Sequence, residues 1–269
     1  MTEIIVKEYC DETIKMDYFS FGKGKRILAI IPGLSIKRVM NSANDIVEAY
    51  NLLSSDFTIY VFDRKKAMPD NYSIFDMAND TAYVIKELGI NKLSLFGASQ
   101  GGMISMVMAI NYPELVENLI VGSSSAFCTT QASKIFKEWI LLANERKCTE
   151  LCLSFGRYIY PKEVFDKYHD FFIEMSKIID DKVLDNFVIM TRSMLDFNIL
   201  KDLYKIKCPI LDLSSKDDLI FGIDASNNLA KALINNKYVR YLYDDYGHAA
   251  YDLAPDYKRR IVEFIKKNN

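Results

Sequence analysis

The sequence contains no long uncharged apolar run. None of its apolar stretches approaches the roughly 20 residues that a helix needs to span a bilayer. The first residues, MTEIIVKEYC, lack the cationic start and apolar segment of a signal peptide. The sequence also lacks a large excess of charge of one sign, because 34 basic and 36 acidic residues give a formal net charge of −2. We therefore expect no membrane span and no nucleic-acid partner.

Cysteine is sparse and odd in number. The five cysteines form no paired framework, which is typical of a protein of the reducing cytoplasm. Cys148 and Cys152 lie four residues apart on a predicted helix, but a zinc site would require more ligands nearby. We expect both to be small buried hydrophobes. The sequence thus predicts a cytoplasmic protein without metal or cofactor.

Short β-rich runs alternate with helical patterns along most of the chain. This alternation is typical of a mostly parallel, doubly wound α/β sheet with helices on both faces. The first two runs predict an antiparallel hairpin or meander, and the others are nearly continuous in apolar character, as buried parallel strands are. The predicted strands are 4–9, 13–19, 26–31, 57–62, 92–96, 118–121, 209–214 and 238–243, and the predicted helices lie near 43–53, 74–88, 100–111, 224–234 and 255–267.

The alternation stops between about residues 125 and 206. This segment has several amphipathic helical patterns, many aromatic residues and no convincing strand. The sequence therefore predicts a helical cap, 125–206, inserted into an α/β core made of 1–124 and 207–269. The aromatic residues either line an apolar substrate pocket or pack the cap onto the core.

A candidate nucleophile lies between a predicted strand and a predicted helix, in GASQGG. Ser99 stands two residues after Gly97 and two before Gly101. A sharp strand–turn–helix exposes a serine hydroxyl to a base, and glycines at these spacings relieve the crowding around a strained backbone. The helix N-terminus also directs N–H groups and a positive dipole end at developing negative charge. We interpret Ser99 as a catalytic nucleophile.

Only two histidines can act as its base. His248 follows the last predicted strand, on a loop at the carboxyl edge of the sheet, which is also the edge of Ser99. His169 lies on a helical pattern of the cap and is expected to be a surface or packing residue. An imidazole base requires an anion that fixes its tautomer, and either Asp217 or Asp218, after the strand at 209–214, can provide it.

These residues resemble those of the α/β-hydrolase superfamily, closest to its small capped serine esterases. The order serine, aspartate, histidine, the GASQGG turn and the helical insertion carry the resemblance, which covers nearly the whole chain. Matching the family pattern to SSKDDLI places the acid at Asp217, with Asp218 as the alternative. Matching IIPGLS implies that the backbone N–H of Leu34, beside that of Gln100, forms the oxyanion hole.

Two segments depart from the family pattern. The oxyanion loop has Pro32-Gly33 where the family often has His-Gly, so its hydrogen bonding is expected to differ. After the next strand, Asp63-Arg64-Lys65-Lys66 replaces a glycine-rich turn, so we expect a different pocket wall there.

The function predicted from the sequence is hydrolysis of an ester or thioester of a small, apolar substrate through an acyl-serine intermediate. The same three residues also suit amide or C–C bond hydrolysis. A ligand-sensing protein built on a hydrolase pocket is the alternative of a different class. Slow turnover of every activated ester would favour that alternative.

Overall fold

The structure, a computed structural model, describes residues 4–268 and centres on an eight-stranded sheet. The strands follow the spatial order β1-β2-β4-β3-β5-β6-β7-β8. Strand β2 runs antiparallel to β1 and β4, and all other pairs are parallel. The strands are β1 Lys7–Cys10, β2 Lys15–Phe21, β3 Arg26–Ile31, β4 Phe57–Lys65, β5 Leu93–Ala98, β6 Val116–Gly122, β7 Ile210–Ser215 and β8 Tyr238–Tyr243.

Eleven α-helices are present among the described residues. They are α1 Ala43–Tyr50, α2 Ile74–Glu87, α3 Gln100–Asn111, α4 Thr130–Asn144, α5 Cys148–Ile159, α6 Lys162–Lys167, α7 His169–Ser176, α8 Asp181–Arg192, α9 Ile223–Ala232, α10 Ala250–Leu253 and α11 Tyr257–Asn268. Short 3₁₀ helices cover Val39–Ser42, Asn51–Leu53, Leu200–Lys205 and Gly247–Ala249. Within residues 4–268, no helix has the length and apolar character that crossing a bilayer demands.

The predicted fold class, a mostly parallel α/β sheet that opens with an antiparallel pair, is confirmed. The prediction errs mainly at strand ends. Strand β4 continues three residues past its predicted end because Lys65 still pairs with Met16 of β2. This extension places Arg64 inside a strand, where its side chain is buried.

Both faces of the sheet are covered by buried apolar side chains. Along β3, Ala29 and Ile31 pack with one apolar cluster, while Leu28 and Ile30 pack with the other. Side chains of α2 and α3 belong to the first cluster, and those of α1 and α11 to the second. The period-2 alternation of the strand thus fixes which helices cover which face.

The segment between β6 and β7 contains helices α4 to α8 and, among its described residues, one isolated bridge, Phe127 to Asn198. Its centre is Trp139, whose ring centroid lies 4.9 Å from that of Phe155 and 6.4 Å from that of Phe187. The indole N–H donates to Ser154 Oγ at 3.1 Å. Trp139 thus packs against other aromatic residues of the insertion itself.

Replacement of Trp139 by alanine should lower the free energy of unfolding by about 3–5 kcal/mol, because it empties a fully buried site. Leu141→Ala on the same helix is the matched control, since Leu141 is mostly exposed. Its loss should stay within about 0.5 kcal/mol. Urea denaturation monitored by far-UV circular dichroism measures both. Similar losses in the two variants would contradict the assignment of Trp139 to the core of the insertion.

Candidate active site

Ser99 occupies a strained position between β5 and α3. Its backbone dihedrals are φ 53° and ψ −121°, in a region that residues with a side chain rarely adopt. Such a conformation costs on the order of 1–3 kcal/mol and persists only where the surroundings enforce it. The serine is 9% exposed. Strained backbone at a predicted nucleophile is typical of functional sites.

Close packing of α3 against the sheet enforces this turn. A β-carbon on Gly101 would lie 1.9 Å from the carbonyl oxygen of Ile31, and one on Gly97 would lie 2.2 Å from that of Gly101. No side chain fits at either distance. The two glycines that flank Ser99 therefore allow the helix to begin directly against β3 and β5.

Hydrogen bonds hold the serine backbone from the neighbouring strand. The Ser99 N–H donates to the carbonyl of Gly122, at the end of β6, over 2.8 Å. The Ser124 hydroxyl donates to the Ser99 carbonyl, also over 2.8 Å. Gln100 is the first residue of α3, where backbone N–H groups have no acceptor within the helix. Its N–H is thus a donor at the side of the serine.

His248 is fully buried and is hydrogen-bonded to a carboxylate. Its Nδ1 lies 2.9 Å from Oδ2 of Asp218, so Nδ1–H donates to the carboxylate. In the neutral imidazole this leaves Nε2 as the acceptor. Nε2 is buried and has no hydrogen-bond partner among the described residues. In that tautomer one ring nitrogen is bonded to a carboxylate and the other is available as an acceptor.

The partner of His248 is Asp218, so the placement of the acid at Asp217 is wrong. Asp218 is buried, and its Oδ1 accepts from the N–H groups of Ile220 at 2.8 Å and Phe221 at 3.2 Å. Asp217 is exposed, and its Oδ2 accepts from the N–H of Gly247 at 2.8 Å. The two adjacent aspartate side chains point to opposite sides of the turn, and the sequence alone does not show which of them faces the histidine.

Ser99, Asp218 and His248 lie at one edge of the sheet. They follow β5, β7 and β8, which belong with β6 to one parallel run of the sheet, so all three lie beyond the carboxyl ends of the strands. In open α/β sheets, ligands bind at this edge. The predicted shared edge of the serine and the histidine is the edge at which the structure places them.

The loop after β3 approaches Ser99 from the other side. A β-carbon on Gly33 would lie 3.1 Å from Ser99 Cβ and 3.2 Å from the carbonyl oxygen of Ala98. Leu34, the next residue, is buried. The loop and the start of α3 thus flank the serine, as the proposed oxyanion donors Leu34 and Gln100 require.

Arg64 is the residue of this site that the sequence did not single out. It is 3% exposed, and its Nη2 donates to the carbonyl of Pro32 at 2.7 Å and to Oε1 of Gln100 at 3.1 Å. One guanidinium therefore joins the loop after β3 to the start of α3. Burial lowers the pKa of Arg64, and the charge of Asp63 opposes this shift. The sequence signal that could have indicated Arg64 is the replacement of the family's glycine-rich turn by Asp63-Arg64-Lys65-Lys66.

The Gln100 side chain connects the same turn to the insertion. Its Nε2 donates to the carbonyl of Met190 in α8 at 2.7 Å and lies 3.4 Å from the hydroxyl of Ser193. Hydrogen bonds thus run from Pro32 through Arg64 and Gln100 to α8. This series of hydrogen bonds forms a polar connection between the serine turn and the helical insertion.

The remaining candidate residues lie apart from this site. Cys152 is buried, and burial raises the pKa of its thiol to about 12. Within residues 4–268, no three His, Cys, Asp or Glu side chains are grouped as a metal site. The ring of His169 contacts Phe165, and its Nδ1 lies 3.2 Å from Oδ1 of the exposed Asp170. His169 is thus a packing residue near the surface, as predicted.

Comparisons with known proteins agree with the fold described above. The family model described as alpha/beta hydrolase fold matches residues 28–143. A relative from Serratia proteamaculans, named "Putative carbamate hydrolase RutD", is 26% identical over 229 residues, which cover 79% of this chain and 82% of the relative. Relatives with the same name occur in other bacteria, including Pantoea ananatis at 24% identity.

Solved structures share the fold across almost the whole chain. An alpha/beta hydrolase enzyme from a Medee basin deep-sea metagenome library superposes with a TM-score of 0.86 at 18% identity, covering 97% of each chain. The enol-lactonase from Burkholderia xenovorans superposes with a TM-score of 0.83 at 14% identity, covering 97% of this chain and 100% of its own. At sequence identities this low, the superpositions show that these proteins share the fold of this chain and nothing beyond the fold.

Substitution of Arg64 by methionine should reduce the free energy of unfolding by about 1–3 kcal/mol, because it leaves the buried oxygens of Pro32 and Gln100 without this donor. Arg38→Met is the control, since that guanidinium is partly exposed and pairs with Asp17 near the surface. Its loss should remain below about 1 kcal/mol. Urea unfolding of both variants checks the difference, and equal losses would exclude a stabilising role for the buried hydrogen bonds of Arg64.

Proposed function

We propose that this chain is a serine hydrolase of the α/β-hydrolase type that cleaves an ester or thioester of a small substrate. The observation that carries the proposal is the buried hydrogen bond between His248 and Asp218, at the sheet edge where strained Ser99 lies. A buried imidazole with one nitrogen held by a carboxylate and the other unoccupied is suited to accept a proton from a hydroxyl.

In the proposed reaction, Ser99 Oγ attacks the carbonyl carbon of the substrate while Nε2 of His248 accepts the hydroxyl proton. The carbonyl oxygen becomes an oxyanion. The protonated histidine then donates this proton to the leaving group, and the acyl-serine ester remains. Water repeats the sequence with His248 as base and releases the acid and the serine.

Asp218 has an electrostatic role in this mechanism. Its carboxylate holds the Nδ1–H tautomer of His248 and stabilises the imidazolium that forms when Nε2 is protonated. The N–H groups of Ile220 and Phe221 keep the carboxylate in place. Asp217 instead braces the histidine loop through the N–H of Gly247.

The oxyanion is proposed to bind the backbone N–H groups of Leu34 and Gln100. Gln100 provides the first N–H of α3, whose N-terminal dipole favours negative charge. Leu34 follows the glycine that packs against the Ser99 side chain. Arg64 connects the two segments that carry these donors, so it is a positioning residue for the oxyanion hole.

The insertion 125–206 is proposed to cap the site and to select substrates without providing any of the chemistry. Its contact with the serine turn, from Gln100 to Met190, supports this placement. Because relatives carry the name of a carbamate hydrolase, carbamates belong in the substrate panel beside esters and thioesters. A serine nucleophile attacks all three at an acyl carbon.

Ser99→Ala should abolish covalent labelling by a fluorophosphonate probe and reduce turnover of p-nitrophenyl esters by about a thousandfold or more, since the serine, histidine and aspartate act as a unit. Ser133→Ala, on helix α4, is the matched control and should label and turn over like the parent protein. Mass spectrometry of labelled peptides locates the adduct. Full labelling of another residue would refute the assignment, and uniformly slow turnover of esters, thioesters and carbamates would favour the ligand-sensing alternative.

Asp218→Asn should lower kcat by about 10³–10⁴-fold, because an amide presents the wrong hydrogen-bond pattern to the histidine. Asp217→Asn is the matched control, and its effect should stay below about tenfold, since an asparagine oxygen still accepts from the N–H of Gly247. Steady-state kinetics with one activated ester measures both. A larger loss in the Asp217 variant would restore that residue as the acid.

A further inference from the structure

A cavity of about 280 Å³ lies beside the loop that flanks Ser99. Its walls come from this loop, from the end of β4 and from α8 of the insertion. Gly33 lines the cavity, and a β-carbon on Gly33 would lie 3.1 Å from Ser99 Cβ. One residue therefore separates the cavity from the proposed nucleophile. A volume of this size suits a small ligand or one part of a substrate.

Six of the sixteen residues that line this cavity are basic. Two acidic residues, Asp63 and Asp180, also line it. The carboxylate of Asp180 is engaged, since it accepts from the N–H of Val183 at 2.8 Å and caps α8. An excess of positive charge therefore faces the cavity. The basic residues are Lys37, Arg38, Arg64, Lys65, Lys66 and Lys182.

Three of these cations have carboxylate partners. The carboxylate of Asp17 pairs with Arg38 at 2.9 Å and with Lys66 at 2.8 Å, and Lys65 pairs with Asp80 at 3.0 Å. Lys37 and Lys182 have no ion pair with any carboxylate of residues 4–268. Both retain the capacity to bind an anion that enters from outside.

Arg64 is the buried cation of the cavity. Its Nη2 donates only to the neutral oxygens of Pro32 and Gln100, and its Nε is buried without a hydrogen-bond partner in the described part of the chain. The neighbouring Asp63 side chain accepts from the backbone N–H of Arg64, and burial raises the pKa of that carboxyl group. Since no carboxylate forms a hydrogen bond with the Arg64 side chain, its charge lacks a bonded counter-ion within residues 4–268.

We propose that this cavity binds a carboxylate carried by the substrate, so that the protein acts on acyl compounds with a second, anionic group. The inference rests on the proposed function, because it places the scissile carbonyl at Ser99 and the carboxylate in the cavity behind Gly33. Arg64 forms the buried end of this subsite, and Lys37 and Lys182 flank it from the loop and from α8. The charge of the substrate then determines which substrates bind tightly, whereas Ser99 and His248 carry out the reaction.

Two esters with the same acyl length test the proposal. The mono-p-nitrophenyl ester of adipic acid has a terminal carboxylate, and p-nitrophenyl hexanoate has a methyl group in its place. The parent protein should show a KM about tenfold lower for the adipate ester, as one charge-assisted contact of about 1.4 kcal/mol implies. Lys37→Met and Lys182→Met combined should reduce this preference severalfold, because Arg64 alone then holds the carboxylate, and should leave kcat and KM for the hexanoate ester unchanged.

Lys134→Met is the matched control, because Lys134 is an exposed lysine of the insertion, on α4. It should keep the adipate preference. Fluorophosphonate labelling of Ser99 should proceed at the parent rate in the lysine variants, so that a failed subsite is distinguished from a failed nucleophile. Equal KM values for the two esters in the parent protein would overturn the proposal, as would a preference of undiminished size in the double variant.

Binding of adipate itself tests the subsite independently of turnover. Adipate at millimolar concentration should raise the melting temperature of Ser99→Ala protein, whereas 1,6-hexanediol should not. The shift should become smaller when Lys37→Met and Lys182→Met are added. No shift with adipate, or an equal shift in the variant without the two lysines, would refute a carboxylate site even if neither ester is hydrolysed.

Discussion

The close approach of α3 to strands β3 and β5 is the constraint on which the site depends. The carbonyl of Ile31 occupies the space that a side chain at residue 101 would need. The carbonyl of Gly101 likewise occupies the space that a side chain at residue 97 would need. The chain can turn from strand to helix only with Ser99 in a strained conformation. The same packing brings the loop after β3 against the serine. The proposed nucleophile and both proposed oxyanion donors are consequently positioned by one backbone contact.

Charges are arranged on opposite sides of this turn. Arg64 lies on β4, two positions from β5 in the sheet, and the histidine with its carboxylate follows β7 and β8 on the other side. Both charged side chains are almost fully buried, so solvent screens them little. A positive group therefore lies on the side of the proposed oxyanion hole, and a negative group lies behind the proposed base. In the proposed reaction, this polarity would stabilise an oxyanion and an imidazolium that form together.

Local patterns predicted the sheet, the nucleophile turn and the histidine loop, because each depends on residues that are close in sequence. Strand periodicity, glycines flanking Ser99 and the position of His248 after a strand are all of this kind. The role of Asp218 depends instead on the direction of its side chain, and the role of Arg64 depends on partners that are distant in sequence. Two adjacent aspartates carry no information about which of them faces the histidine. Arg64 acquires its role from Pro32 and Gln100, which lie 32 and 36 residues away.

Gln100 has a further consequence for how this protein can change during evolution. Its backbone belongs to the serine turn, but its side chain spans from Arg64 to the Met190 carbonyl of α8. An insertion exchanged for that of a relative would have to present a carbonyl at the same place, or leave a buried amide unsatisfied. Divergence of the insertion is therefore restricted near Met190 and freer at its outer helices. If the insertion selects substrates as proposed, variation in specificity would accumulate at its outer helices and be selected against near Met190.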